Sequence, residues 1–197
     1  MAEVVVIKEL NGAAPGTPTS LTGKVGRYCT MDSAEPGTSN PCKVPTADFY
    51  YSFWKQHYAE VSGTGWTSIR DIYWYCDGNV ATDWGLDSAS GGGLFIGTMD
   101  SGDNGIPIAS YAQATGTVGT TGDAIGHISN GHPSYRTQAS PTGNADNYTS
   151  SSPLLIDSTV YSAAFQSKCW TTQLKIPPTA SHGECSAKTF TISYTVY

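Results

Sequence analysis

The chain has 197 residues, a length that suits one ordinary domain of about 150 residues better than two, and 13% of them are charged where about 25% is usual. With 22 Gly, 11 Pro, 12 Tyr and 5 Trp it is rich in turn and strand formers, which argues against a helical bundle, while 39% hydrophobic residues argue against disorder. A net charge of -6 with only 10 Lys plus Arg leaves no cationic footprint for direct nucleic-acid contact, and acids, bases and nucleophiles are too sparse to favour an enzyme.

Residues 1–12 predict an N-terminal strand or arm. Val4, Val5, Val6 and Ile7 form its apolar run, and Asn11-Gly12 ends it. The run is too short for a membrane span or the core of a signal peptide, so no membrane partner and no export signal are expected. Such an arm can pair in its own sheet or in a neighbour's. Thr22 to Thr30 reads as a second short strand.

Five cysteines is an odd count, so at least one is unpaired within the chain. Cys29 and Cys42 flank one turn-rich loop and Cys169 and Cys185 another. Either pair can close its loop with a disulfide, worth about 3 kcal/mol for a loop of about 15 residues. Cys76, inside a strand pattern, is the expected free thiol; five buried free thiols is the alternative. No C-x-x-C or H-x-x-x-H spacing points to zinc.

From Ala47 to Val61, Phe49, Phe53, Trp54, His57, Tyr58 and Val61 recur at spacings of three and four, which predicts one short helix packed on a sheet. Thr67 to Cys76 is the clearest strand. Ile72, Trp74 and Cys76 lie on one face and Tyr73 and Tyr75 on the other, and Asp77-Gly78-Asn79 after it signals a hairpin. Leu94-Phe95-Ile96 forms an apolar run in a glycine-rich stretch, and Tyr111 to Gln113 another short strand. Glycines every third residue from Gly116 to Gly122 suggest a loop. The last third reads as strands around Tyr148, at Leu154 to Ile156, at Lys168 to Ile176 and at Lys188 to Tyr197. In the final one Phe190, Ile192, Tyr194 and Val196 alternate with Thr and Ser.

Chemistry-bearing motifs are sparse. No nucleophile elbow, zinc helix or phosphate loop is present, so no catalytic residue and no cofactor is assigned. His127 and His132 lack further ligands of metal spacing. Asp100, Asp103 and Asn104 resemble a calcium loop but have Tyr111 where the bidentate Glu belongs, and read as turn residues. Trp66 and Trp84, in glycine-rich loops, suit sugar stacking or a subunit interface equally. Asn147-Tyr148-Thr149 is a glycosylation sequon, relevant only to an exported chain.

The N-terminal strand ending in Leu10-Asn11-Gly12, the segment Thr67 to Tyr75 followed by Asp77-Gly78, the run Ala114 to Gly122 and the close Thr189 to Tyr194 resemble virion structural proteins of tailed double-stranded DNA viruses of bacteria and archaea. The five cysteines and the Ala47–Val61 segment lie outside that pattern. The resemblance implies a β-sandwich on the capsid exterior or in the tail that works through subunit contacts.

Together these readings predict a single all-β domain over residues 1–197. It is an antiparallel sandwich, jelly-roll or immunoglobulin-like, with one short helix and long Gly/Ser/Thr-rich loops. The expected function is a capsid decoration or cement protein of the virion, assembled in the host cytoplasm. Its expected partners are copies of itself and the major capsid protein. The interface residues are Val4, Val5, Val6 and Ile7 in the arm, Tyr73 and Tyr75 on the second strand face, and Trp66 and Trp84 in loops. The alternatives are an extracellular filament or surface-layer subunit assembling by strand donation, and a carbohydrate-binding module with a cleft lined by Trp and carboxylates.

Overall fold

A computed structural model describes residues 2–12, 16–97 and 142–197. Two antiparallel sheets, packed face to face, carry the eleven strands of those residues, and a single turn of helix joins them. In chain order the elements are β1 (Val4–Asn11), β2 (Thr17–Ser20), β3 (Tyr50–Tyr51), β4 (Lys55–Ser62), β5 (Ile69–Cys76), α1 (Val80–Asp83), β6 (Gly93–Gly97), β7 (Thr142–Asn144), β8 (Leu154–Asp157), β9 (Phe165–Gln166), β10 (Trp170–Ile176) and β11 (Phe190–Val196). The large sheet runs β2-β1-β4-β10-β6-β7, with β3 added on β10 and β9 on β4; the small sheet runs β11-β5-β8. The expected all-β sandwich is therefore the observed architecture.

Alternation along each strand decides what faces inward. On β5, Ile72, Trp74 and Cys76 are buried, and on β11 their partners Phe190 and Ile192 point the same way, Trp74 and Phe190 stacking at 5.5 Å. Across the interior the large sheet presents Leu94 and Ile96 from β6 and Trp170 from β10, with Ile7 of β1 at the margin. A second cluster, of Ala81, Leu86, Leu174, Ile176 and Ala180, extends this core past α1. Non-local pairing on this scale is what a chain of short strands needs to bury area: isolated hairpins are marginal in water.

The segment expected to be helical is instead β3, an irregular step at Ser52–Trp54, and β4. Lys55, His57, Ala59 and Val61 lie on the face toward the small sheet, and Gln56 and Tyr58 on the other. Both faces are buried along most of the strand, so polar alternation is lost, and the step at Ser52–Trp54 resets the spacing of the aromatics. The helix lies after β5, where Asp77-Gly78-Asn79 turns the chain into α1 rather than into a hairpin, with Asn79 at φ 56°. Thr22 to Thr30 forms no strand, only an isolated bridge of Cys29 with Pro41. Tyr148 follows a 3-10 turn instead of lying in a strand.

The start of β1 and the end of β11 meet at one pole. Val4 pairs Ser62 at the end of β4, Val196 pairs Ile69 at the start of β5, and the Tyr194 hydroxyl lies 3.5 Å from a Glu3 carboxylate oxygen. The expectations at Asp100–Asn104, Tyr111–Gln113, Gly116–Gly122, and His127 with His132 lie outside the described residues.

Candidate interaction face and buried ionic cluster

The outer face of the small sheet is built by alternation on β5. With Trp74 and Cys76 inward, Tyr73 and Tyr75 must point out, and both are half-buried. Across the ladder Tyr73 meets Ser193 and Leu155, and Tyr75 meets Thr191. Two aromatic rings with hydroxyl tips therefore stand among small hydroxylated and aliphatic neighbours, the composition of an interface centre. Arg70 closes one end, its guanidinium 4.7 Å from the Tyr197 ring and 3.2 Å from Asp71.

The arm residues are strand residues of the chain's own large sheet. Val4 to Leu10 pair with β4, while β2 covers only Lys8 to Asn11 on the other side. Val4 is 54% exposed, Val5 and Val6 are half-buried, and Ile7 packs against the main core. Trp84 is an intramolecular packing residue: its ring lies 6.0 Å from Tyr28 and edge-on to Phe190, and its indole N–H donates to the Ser186 carbonyl at 2.7 Å. Trp66 lies in the connection from β4 to β5, half-buried, with its indole N–H out of solvent and without a hydrogen-bond partner. Trp84 lies beside Phe190 at the start of β11, whereas Trp66 precedes Thr67, whose N–H donates to the Tyr197 carbonyl beyond the end of that strand. A shallow groove of about 460 Å³ at the β4–β9 corner is lined by Glu60, Val61, Ser62, Ala164, Phe165 and Gln166 and includes neither tryptophan.

All five cysteines are free thiols. Cys169 is buried at the start of β10, whereas Cys185 is exposed beside Trp84. Cys42 has Cys29 and Cys185 as electrostatic neighbours, and burial pushes its thiol up to about 12. Burial does the same to Cys169.

Inside the sandwich, at the end of the β1–β4 pairing, lies a cluster that the spacing argument did not reveal. Glu9 is 1% exposed and Lys55 3%. Lys55 Nζ lies 2.9 Å from Glu9 Oε1, His57 Nε2 lies 3.4 Å from Glu9 Oε2, and Asn11 Nδ2 donates to Glu9 Oε1 at 3.0 Å. Asn11 Nδ2 also donates to Asp32 Oδ1 at 2.7 Å, and Lys55 donates to the Ser33 carbonyl. Burial acts to raise the Glu9 carboxyl, but His57, Lys55 and Asn11 outweigh it and hold it below its ordinary value. The signal in the sequence was the pair of polar dipeptide steps Glu9-x-Asn11 and Lys55-x-His57, each placing two polar groups on one strand face. No group of His, Cys, Asp or Glu among the described residues could hold a metal ion. No helix there is long and apolar enough to cross a membrane.

No family model matches the chain, and neither any curated protein nor any solved structure does.

Proposed function

We propose that the chain is a non-enzymatic structural subunit of a virion, a decoration or cement protein on the capsid exterior that stabilises the shell through contacts with copies of itself and with the major capsid protein. The observation that carries this reading is the outer face of the small sheet, where Tyr73 and Tyr75 lie half-exposed among Leu155, Thr191 and Ser193. A face of this kind buries aromatic area across a joint without desolvating charge, and about 800 Å² per partner, repeated by symmetry, is enough for a stable contact. Electron microscopy of the native assembly is the test: an icosahedral shell decorated by this chain is expected, and a monomer that associates with no particle overturns the reading.

A filament or surface-layer subunit built by strand addition is the second reading. It is favoured by the β1 edge at Val4 to Val6, which no strand pairs on the side away from β4 among the described residues. Helical rather than icosahedral symmetry in the same micrographs selects it.

A further inference from the structure

The cluster at the end of β1 brings together a buried amine, a buried carboxylate and a half-buried carboxamide. The β1–β4 register runs Glu9 opposite His57 and Leu10 opposite Gln56, and one further step sets Asn11 opposite Lys55. Directly opposed side chains on neighbouring strands start about 5 Å apart at Cβ. Here both reach the same atom: Lys55 Nζ at 2.9 Å and Asn11 Nδ2 at 3.0 Å share Glu9 Oε1. The Asn11 carbonyl oxygen is out of solvent and makes no hydrogen bond, so the amide is held through Nδ2 alone, which donates to Glu9 Oε1 and to Asp32 Oδ1. Glu9 and Lys55 are both closed off from water, which would otherwise compete as a nucleophile and solvate the amine.

We propose that Lys55 and Asn11 form an intramolecular isopeptide bond, with Glu9 as the proton carrier. Glu9 takes one proton from the Lys55 ammonium, and the freed lone pair on Nζ attacks Cγ of Asn11, forming the Nζ–Cγ bond. The nitrogen that attacked then loses a second proton, which reaches Nδ2 by way of the same carboxylate. The Cγ–Nδ2 bond breaks and ammonia departs, taking up the first proton as ammonium and returning Glu9 to its anion. One secondary amide is gained and one ammonia lost; nothing is oxidised or reduced, and no cofactor is consumed. Fixed geometry supplies the rate, because a held amine and carbonyl react at effective concentrations far above those in solution. His57, on the other oxygen of Glu9, is a positioning residue that fixes the carboxylate's rotation. The product ties β1 to β4 covalently, and this follows whether or not the chain belongs to a shell.

The test is the intact mass of the folded full-length chain, measured after denaturation under reducing conditions. The expected result is a deficit of about 17 Da, one ammonia, with a branched proteolytic peptide joining the segments that carry Asn11 and Lys55. Lys55→Met and Glu9→Gln should abolish the deficit. Asn11→Asp loses water, about 18 Da, in place of ammonia and should arrive at the same product mass as the parent chain, which decides the matter if Glu9→Gln fails to fold. A cooperatively unfolding parent chain at its full unmodified mass overturns the proposal. So does a deficit that persists in Lys55→Met and maps to one peptide, since that is a succinimide at Asn11-Gly12.

Discussion

Glu9 is the residue on which most of the buried chemistry turns. Its ordinary carboxyl value is 4.5 and its folded value is lower, because His57, Lys55 and Asn11 together outweigh the effect of burial. The unfolded chain therefore binds more protons than the folded one in the window between the two values. Glu9 contributes stability that is fully present above 4.5 and is lost as pH falls through its folded value. Thermal unfolding followed across that window in an Asn11→Ala background, where Lys55 keeps its charge, should show a steep loss toward acid that Glu9→Gln reduces. In that background Lys55→Met should cost about 3–5 kcal/mol by denaturant unfolding, because it leaves the Glu9 charge buried without its closest cation. The thiols divide in the same way by environment. Burial raises Cys185 as well as Cys42 and Cys169, the latter two to about 12, but of the three only Cys185 is exposed, so mass-resolved alkylation of the native chain at neutral pH should label Cys185 first.

Among the elements, β5 and β11 were legible because apolar and less buried positions alternate along them, β1 because it opens on a run of β-branched residues, and β10 because Trp170, Thr172, Leu174 and Ile176 alternate with Thr171, Gln173 and Lys175 in sequence although both its faces are buried. β11 keeps Thr191, Ser193 and Thr195 between its apolar positions, and its observed bounds fall inside the expected stretch. β4 was illegible because polar side chains stand at its buried positions. Its polar residues Lys55 and Gln56 are buried, so they occupy positions where periodicity calls for apolar ones. The aromatics on both faces then mimic a helical stripe. α1 could not be seen because a single turn carries no period; it exists because Val80 and Ala81 are anchored by their backbone N–H groups to the Asp146 carboxylate, 66 residues downstream of Val80. The turn from α1 into β6 is equally context-bound. A Cβ on Gly92 would enter contact distance of the Leu86 carbonyl and the Pro177 ring, and a backbone oxygen cannot swing aside as a side chain can. Gly92→Ala should lower stability by about 1–3 kcal/mol in chemical unfolding, whereas Gly26→Ala, with open space around it, should change it little.

For the molecule as a whole, the proposed function assigns stability to one face of the small sheet and association to the other. Trp74 lies in the central core and Tyr73 beside it points outward, so neighbouring residues on one strand should give opposite phenotypes. Trp74→Ala should destabilise the isolated chain by about 3–5 kcal/mol, read from its unfolding midpoint. Tyr73→Asp combined with Tyr75→Asp should leave that midpoint nearly unchanged and abolish the proposed assembly, as read by sedimentation and microscopy. The sequence patterns located this outer face, since strand alternation alone places both tyrosines on it. They did not separate Trp84 from it, because a tryptophan in a glycine-rich loop looks the same whether it faces a neighbour or, as here, bridges Tyr28 and Phe190 of its own chain.

The meeting of β1 and β11 at one pole also bears on how the chain can be rewired. Glu3 and Tyr194 already touch there, and Val4 and Val196 pair with Ser62 and Ile69, the ends of the two strands that the 63–68 connection joins. A circular permutant that links residue 197 to residue 2 through a few glycines, and opens instead at the exposed stretch 162–164, preserves every strand pairing described above. It should unfold within a few degrees of the parent chain. The pole would then be free of chain ends, and cargo fused at the new termini would emerge at the β8–β9 loop, a second point of attachment on the same sandwich.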